Sequence, residues 1–168
     1  MIKVLFVCHG NICRSPMGEY ILKDMVAKAG LEHRFEIASA AVSTEELGNP
    51  VYPPARRELA RHGIDCRGHK ARQITRRDLD HYDHIYYMDR SNERWLKRMF
   101  PGLWEEKCRM LLDRDVADPW YTGDFSATWN DLEEGCKKTR SSGSGQERRP
   151  SGSGRPPRTF LLRRGSRS

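Results

Sequence analysis

The 168-residue chain carries 30 Lys and Arg against 23 Asp and Glu, a net charge of +7, with 37% hydrophobic and 32% charged residues. That length suits one domain with a sizeable core, and no apolar run approaches the ~18 residues that a membrane span needs. The charge is lopsided: residues 137–168 hold ten of the basic side chains and one acid, leaving 20 basic and 22 acidic residues in 1–136, so the basic balance belongs to the tail and specific nucleic-acid binding is not expected of the domain.

In chain order, Ile2 to Val7 is a short, β-branched apolar run, as expected of a buried parallel strand. A Gly-containing loop follows, and Ser15-Pro16 reads as the N-cap and first residue of a helix. Its apolar positions Ile21, Leu22, Met25, Val26 and Ala29 have helical spacing, and Gly30 stops it. Phe35 to Ala40 reads as a second strand. Pro53-Pro54 opens a helix that ends at His62-Gly63, and a short helix near Thr75 to Asp80 precedes the strand His84 to Met88. Asn92 to Phe100 is helical, Cys108 to Leu112 is a short strand, and Phe125, Trp129, Leu132 and Cys136 mark one face of a last helix. Strands alternating with helices predict an α/β fold with a parallel sheet covered on both faces.

From Thr139 onward the composition changes. The apolar stripe would continue at about 139–140 and 143 by helical spacing, where the chain has Thr139, Arg140 and Gly143. The Ser, Gly, Arg and Pro runs that follow bury too little to fold. The expected organisation is therefore a domain over 1–138 and a disordered basic tail over 139–168. The N-terminus lacks the pattern of a signal peptide, and five cysteines at positions 8, 13, 66, 108 and 136 do not resemble a secreted disulfide framework. A reducing cytoplasm is the expected location.

The chemistry concentrates in Cys8-His9-Gly10-Asn11-Ile12-Cys13-Arg14, a Cys-x5-Arg loop between a strand end and a helix start. Successive loop N–H groups and a helix N-terminus make a cradle for a phosphoryl oxyanion. Arg14 adds a bidentate clamp, and the same positive field favours the thiolate of Cys8. A thiolate beneath a bound phosphate is poised for in-line attack through a phosphocysteine. Gly10 lets the backbone come close to the ligand.

The run Val7 to Pro16 resembles the signature of low-molecular-weight protein tyrosine phosphatases. Ser39-Ala40-Ala41, Gly48-Asn49-Pro50, Arg61 to Ile64, His69 to Thr75, Met88-Asp89, Ser91-Asn92 and Asp118 to Tyr121 also fall where that family has similar segments, so the likeness covers about 1–136. It implies a three-layer α/β sandwich with a four-stranded parallel sheet, acting on phosphotyrosine without metal or organic cofactor. The partner implied is a tyrosine-phosphorylated protein; for bacterial members a tyrosine kinase is a candidate. By the same resemblance Cys8 matches the nucleophile, Arg14 the phosphate clamp and Asp118 the general acid and later base. The loop His9 to Ser15 binds phosphate. Asn11, Ser15, Ser39 and His69 support it, Trp120 and Tyr121 form a substrate wall with Glu45 opposite, and Cys13 is the redox partner of Cys8. A merely packed loop thiol is the alternative for Cys13.

Three positions depart from the family pattern. His9 stands where an apolar residue is frequent, and at a pocket mouth it would alter pH dependence or substrate contact. Glu45 stands where eukaryotic members often have a wall aromatic, and the last helix loses its apolar face after Cys136. Arsenate reductases of the same fold need a further redox cysteine pair, which the stretch Tyr82 to Asp89 lacks. Phosphoarginine phosphatases tend to have Thr where this chain has Ile12, and an inactive phosphate-binding module is the alternative from another class.

Overall fold

A computed structural model describes residues 1–148. The sheet has four parallel strands, β1 (Ile2–Cys8), β2 (Phe35–Ala41), β3 (His84–Tyr87) and β4 (Cys108–Met110), in the order β2-β1-β3-β4. β1 pairs with β2 from Ile2 opposite Phe35 to Cys8 opposite Ala41, and with β3 from Val4 opposite His84 to Val7 opposite Tyr87. Alternate side chains of β1 enter different cores because a strand has a two-residue period. Val4, Phe6 and Cys8 pack with Met17, Ile21 and Leu22 of α1 (Arg14–Lys28), Leu59 of α2 (Pro53–Arg61), and Trp129, Leu132 and Cys136 of α6 (Phe125–Arg148). Leu5 and Val7 pack on the other face with Leu79 of α3 (Arg76–His81) and Leu96 of α4 (Arg90–Met99). The expected three layers are present.

A close approach seats α1. A methyl at Gly18 would stand 3.2 Å from the Phe6 ring, so glycine lets the helix lie this near the strand without displacing the ring, and Cys136 Sγ reaches Gly18 O at 3.5 Å. Among the described residues no helix is long and apolar enough to cross a membrane.

One expectation changes. Ser15 is not the N-cap of α1: Cys13 holds that position, and Arg14 and Ser15 form the first turn, because the Ser15 hydroxyl is engaged by Asn11 and Cys8 instead. Helix α6 runs past Cys136 to Arg148, and Thr139 is buried with its hydroxyl donating to Gly135 O at 3.0 Å and bonded to Tyr86. An apolar stripe is not the only way to continue a buried face, since a hydroxyl with partners can be buried at little cost. Of the tail expected to be disordered, residues 149–168 lie outside the described part.

Candidate active site

The strand order reverses direction about β1, and in α/β sheets this leaves a crevice at the carboxyl ends of the strands. β1 ends at Cys8, β3 is followed by Asp89, and the segment after β4 brings Val116 and Asp118 to the same edge. The loop 8–14 is built by a chain of hydrogen bonds. Asn11 takes φ +61°, a left-handed conformation that Asn tolerates better than most residues. It is fully buried, its Nδ2 donates to Ser15 Oγ at 2.8 Å and Ser39 Oγ at 2.9 Å, and its Oδ1 accepts from Arg72 N at 3.1 Å. The His69 Nε2–H donates to Asn11 O at 2.8 Å. The four residues expected to support the loop are therefore joined in one network.

Sequence reasoning missed what lies behind it. Ser39 Oγ donates to Glu19 Oε1 at 2.6 Å, so the hydroxyl proton points away from Asn11 and the Ser39 oxygen is left to accept from Asn11. The Cys8 thiol donates to Ser15 Oγ at 3.1 Å and accepts from Ser15 N at 3.3 Å. Thus the first turn of α1 aims a backbone N–H at the sulfur and sets a hydroxyl beside it.

Arg14 is almost completely buried. Its Nη1 donates to Asp89 Oδ2 at 2.8 Å and to Val116 O at 2.7 Å, and its Nη2 approaches Asp118 Oδ2 at 3.4 Å. Burial opposes the guanidinium charge, but Cys8, Asp89 and Asp118 outweigh it and hold the group above its usual range. Asp89 was not expected as a site residue. Its place directly after the carboxyl end of β3 was the available signal.

Asp118 caps the short helix α5 (Pro119–Thr122), its Oδ1 accepting from Trp120 N at 3.0 Å. The cap fixes the carboxylate where Oδ2 faces the loop. Burial is the main cause that pushes the Cys13 thiol far above its ordinary range, helped by the charges of Cys8 and Asp118. All five cysteines are free thiols.

Together these groups enclose a cavity of about 270 Å³. Cys8 and Arg14 lie at its base with Ile12 and Gly10, Glu45 and Glu46 line one side, and Asp118, Trp120 and Tyr121 line the other. Trp120 leans on Tyr52, ring centroids 4.8 Å apart. A larger open depression of about 810 Å³ between α2 and the start of α6 holds Arg57, Arg61 and Asp124 but neither cysteine nor histidine. The chemistry sits in the smaller cavity.

Residues 3–144 match the family described as "Low molecular weight phosphotyrosine protein phosphatase". The chain belongs to that family. The Bacillus subtilis protein-tyrosine-phosphatase YfkJ is 41% identical over 145 residues, covering 82% of this chain and 93% of that one. Its crystal structure superposes with a TM-score of 0.84 over 88% of this chain and 97% of the other, at 39% identity. The Gallus gallus family member is 37% identical across 80% of this chain and 90% of its own length. A crystal structure described as DARP, drosophila arginine phosphatase, matches with a TM-score of 0.74 and 30% identity, over 84% of this chain and 97% of that one. The phosphatase thus shares fold and family with proteins named for phosphotyrosine and with one named for arginine.

Proposed function

We propose that this protein tyrosine phosphatase hydrolyses aryl phosphate monoesters through a phosphocysteine on Cys8. The observation that carries this reading is the convergence of Cys8 and Arg14, from one loop, and Asp118, from a distant part of the chain, on one cavity. As thiolate, Cys8 Sγ accepts from the Ser15 N–H and hydroxyl. It attacks phosphorus in line, forming the S–P bond as the bond to the tyrosine oxygen breaks. Asp118 enters as the carboxylic acid and gives its proton to the departing phenolate. In the second step Asp118, now carboxylate, takes a proton from water as the water oxygen attacks phosphorus. The S–P bond breaks, and inorganic phosphate and thiolate are restored. The loop N–H groups and Arg14 bind the equatorial oxygens throughout. Every group used belongs to the chain or is water.

Trp120 and Tyr121 are exposed at the rim, 53% and 83%, and offer ring faces to the phenol. Ile12 is an apolar side chain at the cavity base, which suits an aryl rather than a guanidino phosphate. Cys13 is the proposed redox partner: once peroxide has turned Cys8 into a sulfenic acid, the Cys13 thiol condenses with it, releasing water and forming a disulfide.

The test compares phosphotyrosine, phosphoarginine and phosphoserine peptides as substrates. The wild type is expected to prefer phosphotyrosine, and Cys8→Ser to abolish turnover. Asp118→Asn is expected to lower kcat by about 10²–10⁴-fold, the usual worth of positioned acid catalysis, with a smaller loss for leaving groups too acidic to need a proton. Equal losses across a leaving-group series exclude Asp118 as the acid, and a preference for phosphoarginine overturns the substrate assignment.

A further inference from the structure

The rim of the cavity carries more negative charge than phosphate recognition calls for. Glu45 and Glu46, on the loop after β2, line its mouth opposite Trp120 and Tyr121. Glu46 lays its stem on the loop, where a methyl at Gly10 would stand 3.2 Å from Glu46 Cγ, and its Oε1 accepts from Asn49 Nδ2 at 2.8 Å. That partner is neutral, so the charge is kept. Glu45 is 66% exposed and its Oε1 lies 3.1 Å from His9 Nε2, a ring 37% exposed beside the nucleophile. Among the described residues no Lys or Arg pairs with either glutamate.

The positive group of the site is not available to balance them. Arg14 lies at the base, tied to Asp89 and Val116 and turned to the phosphate. A phosphotyrosine filling the cavity therefore places its phosphate on Arg14 and the loop amides while its neighbouring residues cross the two carboxylates. At the rim the His9 ring is bonded to Glu45. On α4, Trp95 meets it edge-on at 5.9 Å between centroids, with the Arg98 guanidinium over the same indole at 5.3 Å.

We propose that Glu45 and Glu46 select phosphotyrosine segments that carry Arg or Lys beside the phosphotyrosine. The proposal rests on the phosphatase reading above and adds which substrates it favours. The sign follows from charge: both carboxylates attract a basic flank and repel an acidic one. The phosphate binds at the base and is common to all substrates, so its contribution drops out of a ratio between two peptides.

The experiment measures kcat/KM for two peptides alike except for Arg or Asp flanking the phosphotyrosine, at low salt. The Arg peptide is expected to win by roughly 10-fold, the scale of exposed rim charges acting twice. Added salt compresses the ratio towards one, because charges at a rim are screened. In Glu45→Gln and in Glu46→Gln the ratio is expected to fall to roughly 3-fold. Each ratio is taken within one variant, so a general loss of activity does not affect it. A wild-type ratio near one overturns the proposal, as does a ratio that both variants keep in full. Free phosphotyrosine is the reference: if the wild type does not hydrolyse it, the phosphatase reading itself falls, and the rim proposal with it.

Discussion

Asp89→Asn separates two jobs that one carboxylate does at once. Its Oδ1 accepts from Asn92 N at 2.8 Å and caps α4, while its Oδ2 accepts from Arg14 Nη1 at 2.8 Å. Asparagine has one accepting oxygen and one NH2. If the oxygen stays on the cap, an amide donor faces the guanidinium; if it turns to Arg14, the cap is lost. Asn and Asp are nearly equal as N-caps, and losing such a cap costs about 1 kcal/mol, whereas a hydrogen bond to a charged group is worth about 1.5–3 kcal/mol. The amide is neutral in either orientation, so Arg14 loses the charge-assisted part of this bond whichever way the side chain turns, and the whole bond when the oxygen stays on the cap. It keeps Val116 O and its 3.4 Å approach to Asp118, so the loss is partial. A cost of about 1.5–3 kcal/mol corresponds to roughly 10–150-fold in kcat/KM at 1.4 kcal/mol per factor of ten. Inorganic phosphate, which uses the same clamp, should inhibit more weakly by a similar factor. Thermal unfolding should move by only about 2–4 °C, the equivalent of about 1 kcal/mol in a domain of this size. Activity and phosphate inhibition are measured against p-nitrophenyl phosphate, and the melting temperature by calorimetry. Wild-type kcat/KM and phosphate inhibition together with a lowered Tm would show that Asp89 is only a helix cap.

Two further outcomes follow from burial. Iodoacetamide at neutral pH is expected to alkylate Cys8, at the base of the open cavity, far faster than the other four thiols: burial raises Cys66 and Cys13, raises Cys108 to about 12, and raises Cys136 as well. Peptide mapping by mass spectrometry reads the sites, phosphate should protect, and equal labelling of Cys13 would contradict the assignment. Gly135→Ala should lower Tm although alanine is the better helix former by about 1 kcal/mol. A methyl there would lie 2.5 Å from Leu111 Cγ, an overpacking that costs about 1–3 kcal/mol, and an unchanged or higher Tm would show that Leu111 can yield.

The local elements were legible because each is written in nearby residues. The strand at Ile2 to Val7 is a run of β-branched and apolar side chains, α2 starts at Pro53-Pro54, and Cys8 and Arg14 share one loop whose length alone brings a thiol and a guanidinium to one anion. Asp118 and Trp120-Tyr121 were reached by likeness to a family, not by any pattern within the segment. The tertiary structure decided what depends on partners far away in the chain. Asp89 and the Val116 carbonyl hold Arg14 across separations that no spacing reveals, and Glu19 sets the direction of the Ser39 hydroxyl from another element. Ser15 looked like a cap because Ser before Pro usually is one; the nearby sulfur and Asn11 amide claimed its hydroxyl instead. The burial of α6 beyond Cys136 depends on partners in the same way. Hydropathy registers Thr139 as a break in an apolar face, whereas burial depends on whether its hydroxyl finds acceptors, and Gly135 O stands 3.0 Å away. Periodicity and composition report what a side chain prefers in water, and only the folded neighbourhood determines whether a polar group is satisfied.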